Sequence, residues 1–280
     1  MNYLRVEFEL NPDLHEFFIA ELIDLDFYGF EQFDNKLVAY IEKHRFNDSN
    51  REYLEQLIAA YSGDSFLEFE DIPEQNWNET WEQTIQPQRI GKFLVKPTWS
   101  TEIPDHDEIL LEIDPKMSFG TGYHATTRLM LQQIQEINIE GKTVLDAGTG
   151  TGILAIAAIK LDAQKAVAFD IDPWSRENAR ENTLLNKVDS FVDIRFGGIE
   201  TVDEQEFFDL ILANINRNVL LDMIPSLIDH AIEEGVICLC GLLHSDEDSI
   251  RNKLRELPVE VTDVKREEEW ILIQTRKVGS

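Results

Sequence analysis

Apolar residues alternate with polar ones from Tyr3 to Leu10, the two-residue period of a half-buried strand. After Pro12 and Asp13 the period lengthens. Leu14, Phe17, Phe18, Leu22 and Leu25 fall at helical spacing. Phe27–Phe33 and Lys36–Ile41 read as strands joined at the turn pair Asp34-Asn35. A second helical pattern over Asp48–Tyr61 and a short strand at Phe66–Phe69 complete a β-α-β-β-α-β order. That order predicts a small α+β, ferredoxin-like domain over residues 1–72. Residues 73–100 carry Trp77, Trp81 and Trp99 among Pro73, Pro87 and Pro97, and read as a linker that docks its indoles on a neighbouring surface.

From residue 101 to 280 strands and helices alternate. The expected strands are Ile109–Ile113, Thr143–Ala147, Ala166–Asp170, Phe191–Phe196, Phe208–Ala213 and Gly235–Cys240. Helical patterns cover Thr126–Ile137, Gly152–Leu161, Pro173–Lys187 and Asn218–Ile232, the last expected to kink or break at Pro225. Such alternation predicts an α/β fold with a mostly parallel, Rossmann-like sheet covered by helices on both faces. Val259–Val264 and Trp270–Thr275, either side of a charged run, predict a C-terminal antiparallel hairpin on one sheet edge.

Composition narrows the partners. The chain has 280 residues, 43% of them hydrophobic, enough to bury a sizeable core. Its formal charge is −29. Nucleic acid and anionic membrane surfaces require a basic footprint, so neither is an expected partner, whereas a basic protein would be attracted. Residues 1–72 alone hold five basic and seventeen acidic side chains, a net −12. Two cysteines, Cys238 and Cys240, are too few for a disulfide framework or a structural zinc site, and no metal site is expected. They lie two apart on an expected strand and read as buried thiols. The first residues lack a basic stretch followed by an apolar run, and no apolar stretch approaches about 18 residues, so a cytoplasmic protein without a membrane span is expected.

The strongest local chemistry lies in Val144-Leu145-Asp146-Ala147-Gly148-Thr149-Gly150-Thr151-Gly152, followed by the apolar helix Ile153–Ala158. A buried strand runs through a glycine turn into a helix whose first N–H groups favour an anion. Asp170, eighteen residues beyond Gly152 and at the tip of the next strand, is placed to accept both hydroxyls of a ribose. Asp146 either positions the loop and a ligand's amine or simply caps the loop N–H groups. The ligand is expected to be a nucleoside. Gly150-x-Gly152-x-x-Ala155 fits a dinucleotide fingerprint, which points to NAD, whereas Asp146-x-Gly148-x-Gly150-x-Gly152 resembles motif one of class I methyltransferases, which points to S-adenosylmethionine.

A second stretch, Asp114-Pro115-Lys116-Met117-Ser118-Phe119-Gly120-Thr121-Gly122-Tyr123-His124-Ala125-Thr126-Thr127, resembles the DPG-x-AFGTG-x-HPTT run of the PrmA family, which methylates the eleventh protein of the large ribosomal subunit. Trp77-Asn78-Glu79-Thr80-Trp81, Arg89-Ile90-Gly91, Ala213-Asn214-Ile215 and Glu268-Glu269-Trp270 are similar to that family too, so the likeness runs from about residue 75 to 277. Lys116 and Ala125 stand where the family has glycine and proline, and Thr149 and Thr151 replace Cys and Ser. Lys116 is expected to point to solvent. The resemblance implies a class I methyltransferase fold and S-adenosylmethionine bound by Thr127, Gly148, Asp170 and Asn214, with Gly150 in the same loop. It further implies Phe119 packed near the cofactor or the incoming amine, and Asn214 accepting an N–H from that amine as the catalytic residue. His124 has no role in this reading. The acidic first domain would dock a basic ribosomal protein, with the enzyme acting as a monomer. A methyltransferase for another protein or a small molecule, and a nicotinamide-dependent oxidoreductase, are the rival readings.

Overall fold

A computed structural model describes residues 3–61, 67–72, 85–116 and 118–279. The chain divides into two compact units, Met1–Trp77 and Asn78–Ser280. In the first, β1 (Tyr3–Glu9), α1 (His15–Asp24), β2 (Gly29–Phe33), β3 (Lys36–Glu42), α2 (Asp48–Tyr61) and β4 (Leu67–Ile72) follow the expected order. The strands form an antiparallel sheet in the order β2-β3-β1-β4. Leu4, Val6 and Phe8 alternate inward on β1 and meet Phe18 and Leu22 of α1 and Leu54 and Ile58 of α2. This is the split βαβ arrangement.

The second unit holds a seven-stranded sheet. Its elements are α3 (Ala125–Glu136), β8 (Thr143–Ala147), α4 (Ile153–Lys160), β9 (Lys165–Asp170), α5 (Pro173–Leu185), β10 (Val192–Phe196), β11 (Phe208–Asn214), α6 (Arg217–Asp229), β12 (Ala231–Leu243), α7 (Glu247–Leu254), β13 (Val259–Glu267) and β14 (Trp270–Lys277). The strand order is β10-β9-β8-β11-β12-β14-β13, parallel through the first five and antiparallel at β14 and β13. Side chains on successive residues go to opposite faces. Val144, Ala168, Leu210 and Leu212 join one core, and Leu145, Phe169, Ile211 and Ala213 join the other. Helix α4 is apolar on nearly every side and is buried from Ile153 to Ile159, as a helix without a polar face must be.

Three expectations change. Ile109–Ile113 does not enter the main sheet. Its ordered part, β7 (Ile109–Glu112), pairs instead with β6 (Phe93–Lys96), which pairs with β5 (Gln88–Ile90) in a separate three-stranded sheet. Residues assigned to the linker thus build structure in the second unit, because Phe93, Leu94 and Val95 are buried along a strand that ends just before Pro97. Trp77 and Trp81 lie outside the described residues, and Trp99 is exposed. Helix α6 runs through Pro225 without ending there. Ile224, Leu227 and Ile228 around it are buried against the sheet, and that packing outweighs the one backbone bond a proline forgoes. Helix α7 carries only two buried residues, Ile250 and Leu254, too few for a periodic signal.

A ladder of buried amides ties the small sheet to the large one. Asn178, Asn182 and Asn186 repeat every fourth residue on one face of α5. Asn186 accepts from the Glu112 N–H at 3.0 Å and donates to the Glu112 carbonyl at 2.7 Å. Asn182 accepts from the Asp114 N–H at 3.0 Å and donates to the Thr151 carbonyl at 2.9 Å, while Asn178 donates to the Asp114 carbonyl at 2.8 Å. The amides thereby act as a strand edge for residues 112–114 and fix them beside the glycine loop. Replacing Asn182 by leucine is expected to destabilise the second unit by about 3 kcal/mol, because a buried N–H and a buried carbonyl lose their partners. Urea unfolding of the variant beside the wild type measures this.

Candidate functional site

The site forms where the sheet changes direction. Strands β9 and β10 lie to one side of β8, and β11 and β12 to the other, so the chain leaves the adjacent carboxyl ends of β8 and β11 in opposite directions. Open α/β sheets bind ligands in that crevice. Here a cavity of about 320 Å³ is lined by Phe119, Gly148, Gly150, Asp170, Ile171 and Asn214, among others.

The loop leaving β8 is held on three sides. From below, the fully buried Asp146 accepts from the Thr149 hydroxyl at 2.6 Å and the Ala155 N–H at 3.2 Å. From the side, the Phe169 carbonyl accepts from the Gly148 and Thr149 N–H groups, both at 3.0 Å, and Asp170 accepts from the Gly150 N–H at 2.9 Å. From above, the Phe119 carbonyl accepts from the Thr151 N–H at 2.9 Å, and the Gly120 carbonyl accepts from the Thr151 hydroxyl at 2.7 Å. Both threonines that depart from the family pattern therefore bond within the loop's support. Gly148 and Gly150 have φ of +71° and +56°. A Cβ would come within 2.4 Å of Ile215 at the first and 2.3 Å of the Phe119 carbonyl oxygen at the second, so both positions require glycine.

Five of the seven anticipated residues meet at the cavity: Phe119, Gly148, Gly150, Asp170 and Asn214. Asp146 lies beneath the loop rather than on the wall, and it bonds the Thr149 hydroxyl and the Ala155 N–H of α4 rather than loop N–H groups. Thr127 is buried in the first turn of α3 and is not among the lining residues. Asp146 Oδ1, Thr127 Oγ1 and Asn214 Oδ1 are among the buried atoms without a protein partner, as are Gln133 Oε1, His15 Nε2 and Arg176 Nε. Burial pushes the Asp146 carboxyl up to about 6, against the pull of its bonds to Thr149 and Ala155. Asp170 has one oxygen on Gly150 N–H and the other on Asp172 N–H, at 2.9 Å each. Lys116 pairs with Glu181 at 2.6 Å on the exposed surface, away from the cavity, as expected.

Reading the sequence left His124 without a place. It caps α3 through Nδ1, which accepts from the Thr126 N–H at 3.4 Å and lies 2.8 Å from the Thr126 hydroxyl. Its ring also sits edge-on to Phe119, five residues earlier, and to Trp270, far along the chain. Only the Ser/Thr/Asp/Asn preference for caps was available as a signal, and histidine falls outside it.

A family model described as ribosomal protein L11 methyltransferase (PrmA) matches residues 21–278. The chain belongs to this family. Among its relatives, the ribosomal protein L11 methyltransferase of Chlorobaculum parvum is 38% identical over 280 residues, covering 96% of this chain and 95% of the relative. That of Porphyromonas gingivalis is 35% identical over 290 residues, covering 98% and 97%. The crystal structure of a ribosomal protein L11 methylase from Lactobacillus delbrueckii subsp. bulgaricus is 31% identical, with a TM-score of 0.65, over 70% of this chain and all of that one. The tRNA m1G37 methyltransferase of M. jannaschii, at 15% identity and a TM-score of 0.51, shares the fold. As a PrmA-family member the protein is an S-adenosylmethionine-dependent methyltransferase, and the nicotinamide reading is set aside.

The residues present fit that cofactor. A glycine cradle no side chain could occupy, a strand-tip carboxylate for ribose hydroxyls and buried acceptors with spare capacity suit a cationic nucleoside. The raised Asp146 titration also has a stability consequence. The folded protein prefers the neutral carboxyl, so this group costs nothing below pH 4. Its penalty grows between pH 4 and pH 6 and reaches about 3 kcal/mol above. Asp146→Asn is expected to melt above the wild type at pH 8, with the advantage vanishing by pH 4. Paired calorimetric scans across that range check the sign.

Proposed function

We propose that the protein transfers methyl groups from S-adenosylmethionine to amino groups of ribosomal protein L11, those of lysine side chains, the N-terminal amine, or both. It does so in the cytoplasm and as a monomer. The observation that carries the reading is Asn214 Oδ1, a buried acceptor with no protein partner at the end of β11, on the wall that also holds Gly148 and Asp170.

When bound, the cofactor supplies a methyl group on a sulfonium, an electrophile for a neutral nitrogen. Asp170 would take the ribose hydroxyls, Gly148 and Gly150 would lie under the methionine part, and Asp146 and Thr127 would support the loop and the cofactor's amine from behind. The protein's task is position. A lysine amine has a reference pKa near 10.4, so making it neutral at pH 7 costs about 4–5 kcal/mol. Phe119 on the cavity wall desolvates the entering nitrogen, which disfavours its charged form. The Asn214 carbonyl oxygen accepts one N–H and leaves the lone pair free to point at the methyl. No histidine or lysine lines the cavity among the described residues, so the proton leaves to water.

Residues 1–72, within the first unit, dock the substrate. Its surplus of acid over base attracts a basic ribosomal protein and speeds association, an effect that salt screens.

Two measurements bear on this reading. Asn214→Ala is expected to lower turnover of L11 about a hundredfold, the range typical of losing one oriented polar contact in a transition state. Unchanged turnover would remove its assigned role. Deleting residues 1–72 is expected to abolish methylation of L11 at physiological salt while calorimetry still detects cofactor binding. Normal methylation by the truncated chain would rule out docking.

A further inference from the structure

Phe119 is held by its backbone at the glycine loop but leaves its ring half in solvent, at 52% exposure. An aromatic wall for a reacting amine must be kept at one angle, and the backbone contacts alone leave its side-chain torsions free. The structure supplies a second anchor. The His124 ring stands edge-on to Phe119, with centroids 5.1 Å apart at 63°, and edge-on to Trp270, 4.7 Å apart at 65°. Such geometries are the favoured ones for aromatic pairs. His124 cannot rotate freely, because its Nδ1 is committed to the first turn of α3. Trp270 opens β14 and packs on the main core. The hairpin turn beside it is fixed to α3 as well, since Arg128 pairs with both Glu267 and Glu268.

We propose that Trp270 and His124 are positioning residues that hold the Phe119 ring against the incoming amine, so that the C-terminal hairpin governs the catalytic rate without touching the reactants. The inference rests on the reading that Phe119 borders the amine. It gives one role to two parts of the chain that the mechanism leaves unused, the histidine of the FGTG-x-H run and the tryptophan of the closing Glu-Glu-Trp.

The test is a double-mutant cycle on the full chain with L11 as substrate. Trp270→Leu removes the supporting ring. His124→Asn keeps a good helix cap while removing the aromatic edge. Each is expected to lower kcat about tenfold to a hundredfold, the scale of a small misplacement near the chemistry, with cofactor Kd by calorimetry unchanged and the protein still folded at the assay temperature. Trp270→Phe, which retains a ring, should restore most of the rate. Phe119→Ala should be slow, and Phe119→Ala combined with Trp270→Leu should be no slower, because the second residue acts only through the first. Losses that multiply in the double variant, or a cofactor Kd that shifts with Trp270→Leu, would overturn the relay while leaving Phe119 in place. A Phe119→Ala enzyme of normal kcat would overturn the placement of Phe119 itself, and the relay with it.

Discussion

The turn between Ala147 and Ile153 must carry the backbone close under a ligand, and it can do so only as bare backbone. At Gly148 and Gly150 the chain bends with positive φ into space already filled by Ile215 and by the Phe119 carbonyl. Every other feature of the site is arranged around that path. Asp146 holds it from inside the sheet and Asp170 from the neighbouring strand. Thr151 joins it to the segment that carries Phe119. The loop and its carboxylates form one unit, in which the Gly150 N–H that helps shape the turn also orients Asp170 on the cavity wall.

Burying so much polar surface is costly unless each group finds a partner, and the molecule meets this in two ways. Along α5, three asparagines satisfy the free edge of residues 112–114 and leave the segment no alternative register. By contrast, Asn214 on the cavity wall, Asp146 beneath the loop and Thr127 in α3 each keep an acceptor without a protein partner. Gln133, His15 and Arg176 also bury a polar atom without a partner, so a missing partner marks the site only where the residue also lines the cavity, as Asn214 does.

Charge and chemistry act over different ranges. The surplus of acid in residues 1–72 is suited to attract a basic partner, over a range that salt limits to about 10 Å. It makes the amine harder to deprotonate, because carboxylates stabilise ammonium. The cavity wall is mainly apolar, with Phe119, Ile215, Val219 and Met223 and the single acid Asp170, which suits a desolvated nitrogen. On the proposed reading, recognition through charge and reaction through desolvation fall to different parts of the chain.

Periodicity determined most of the fold, because strands of period two and helices of period 3.6 must each bury one face. The two architectures, the glycine loop and the acid at the next strand tip were legible for that reason, and five of seven anticipated site residues do meet at one cavity. Spacing along the chain carries no information on which strand pairs with which, so β7 was assigned to the wrong sheet, and β5 and β6 were hidden among prolines. Nor could it reveal contacts between residues 31 and 146 positions apart. The Asn182–Thr151 bond and the rings of Phe119, His124 and Trp270 exist only once α5, the loop and the C-terminal hairpin are packed together. Local backbone preference is written residue by residue, whereas the orientation of a side chain depends on the neighbours that folding brings to it.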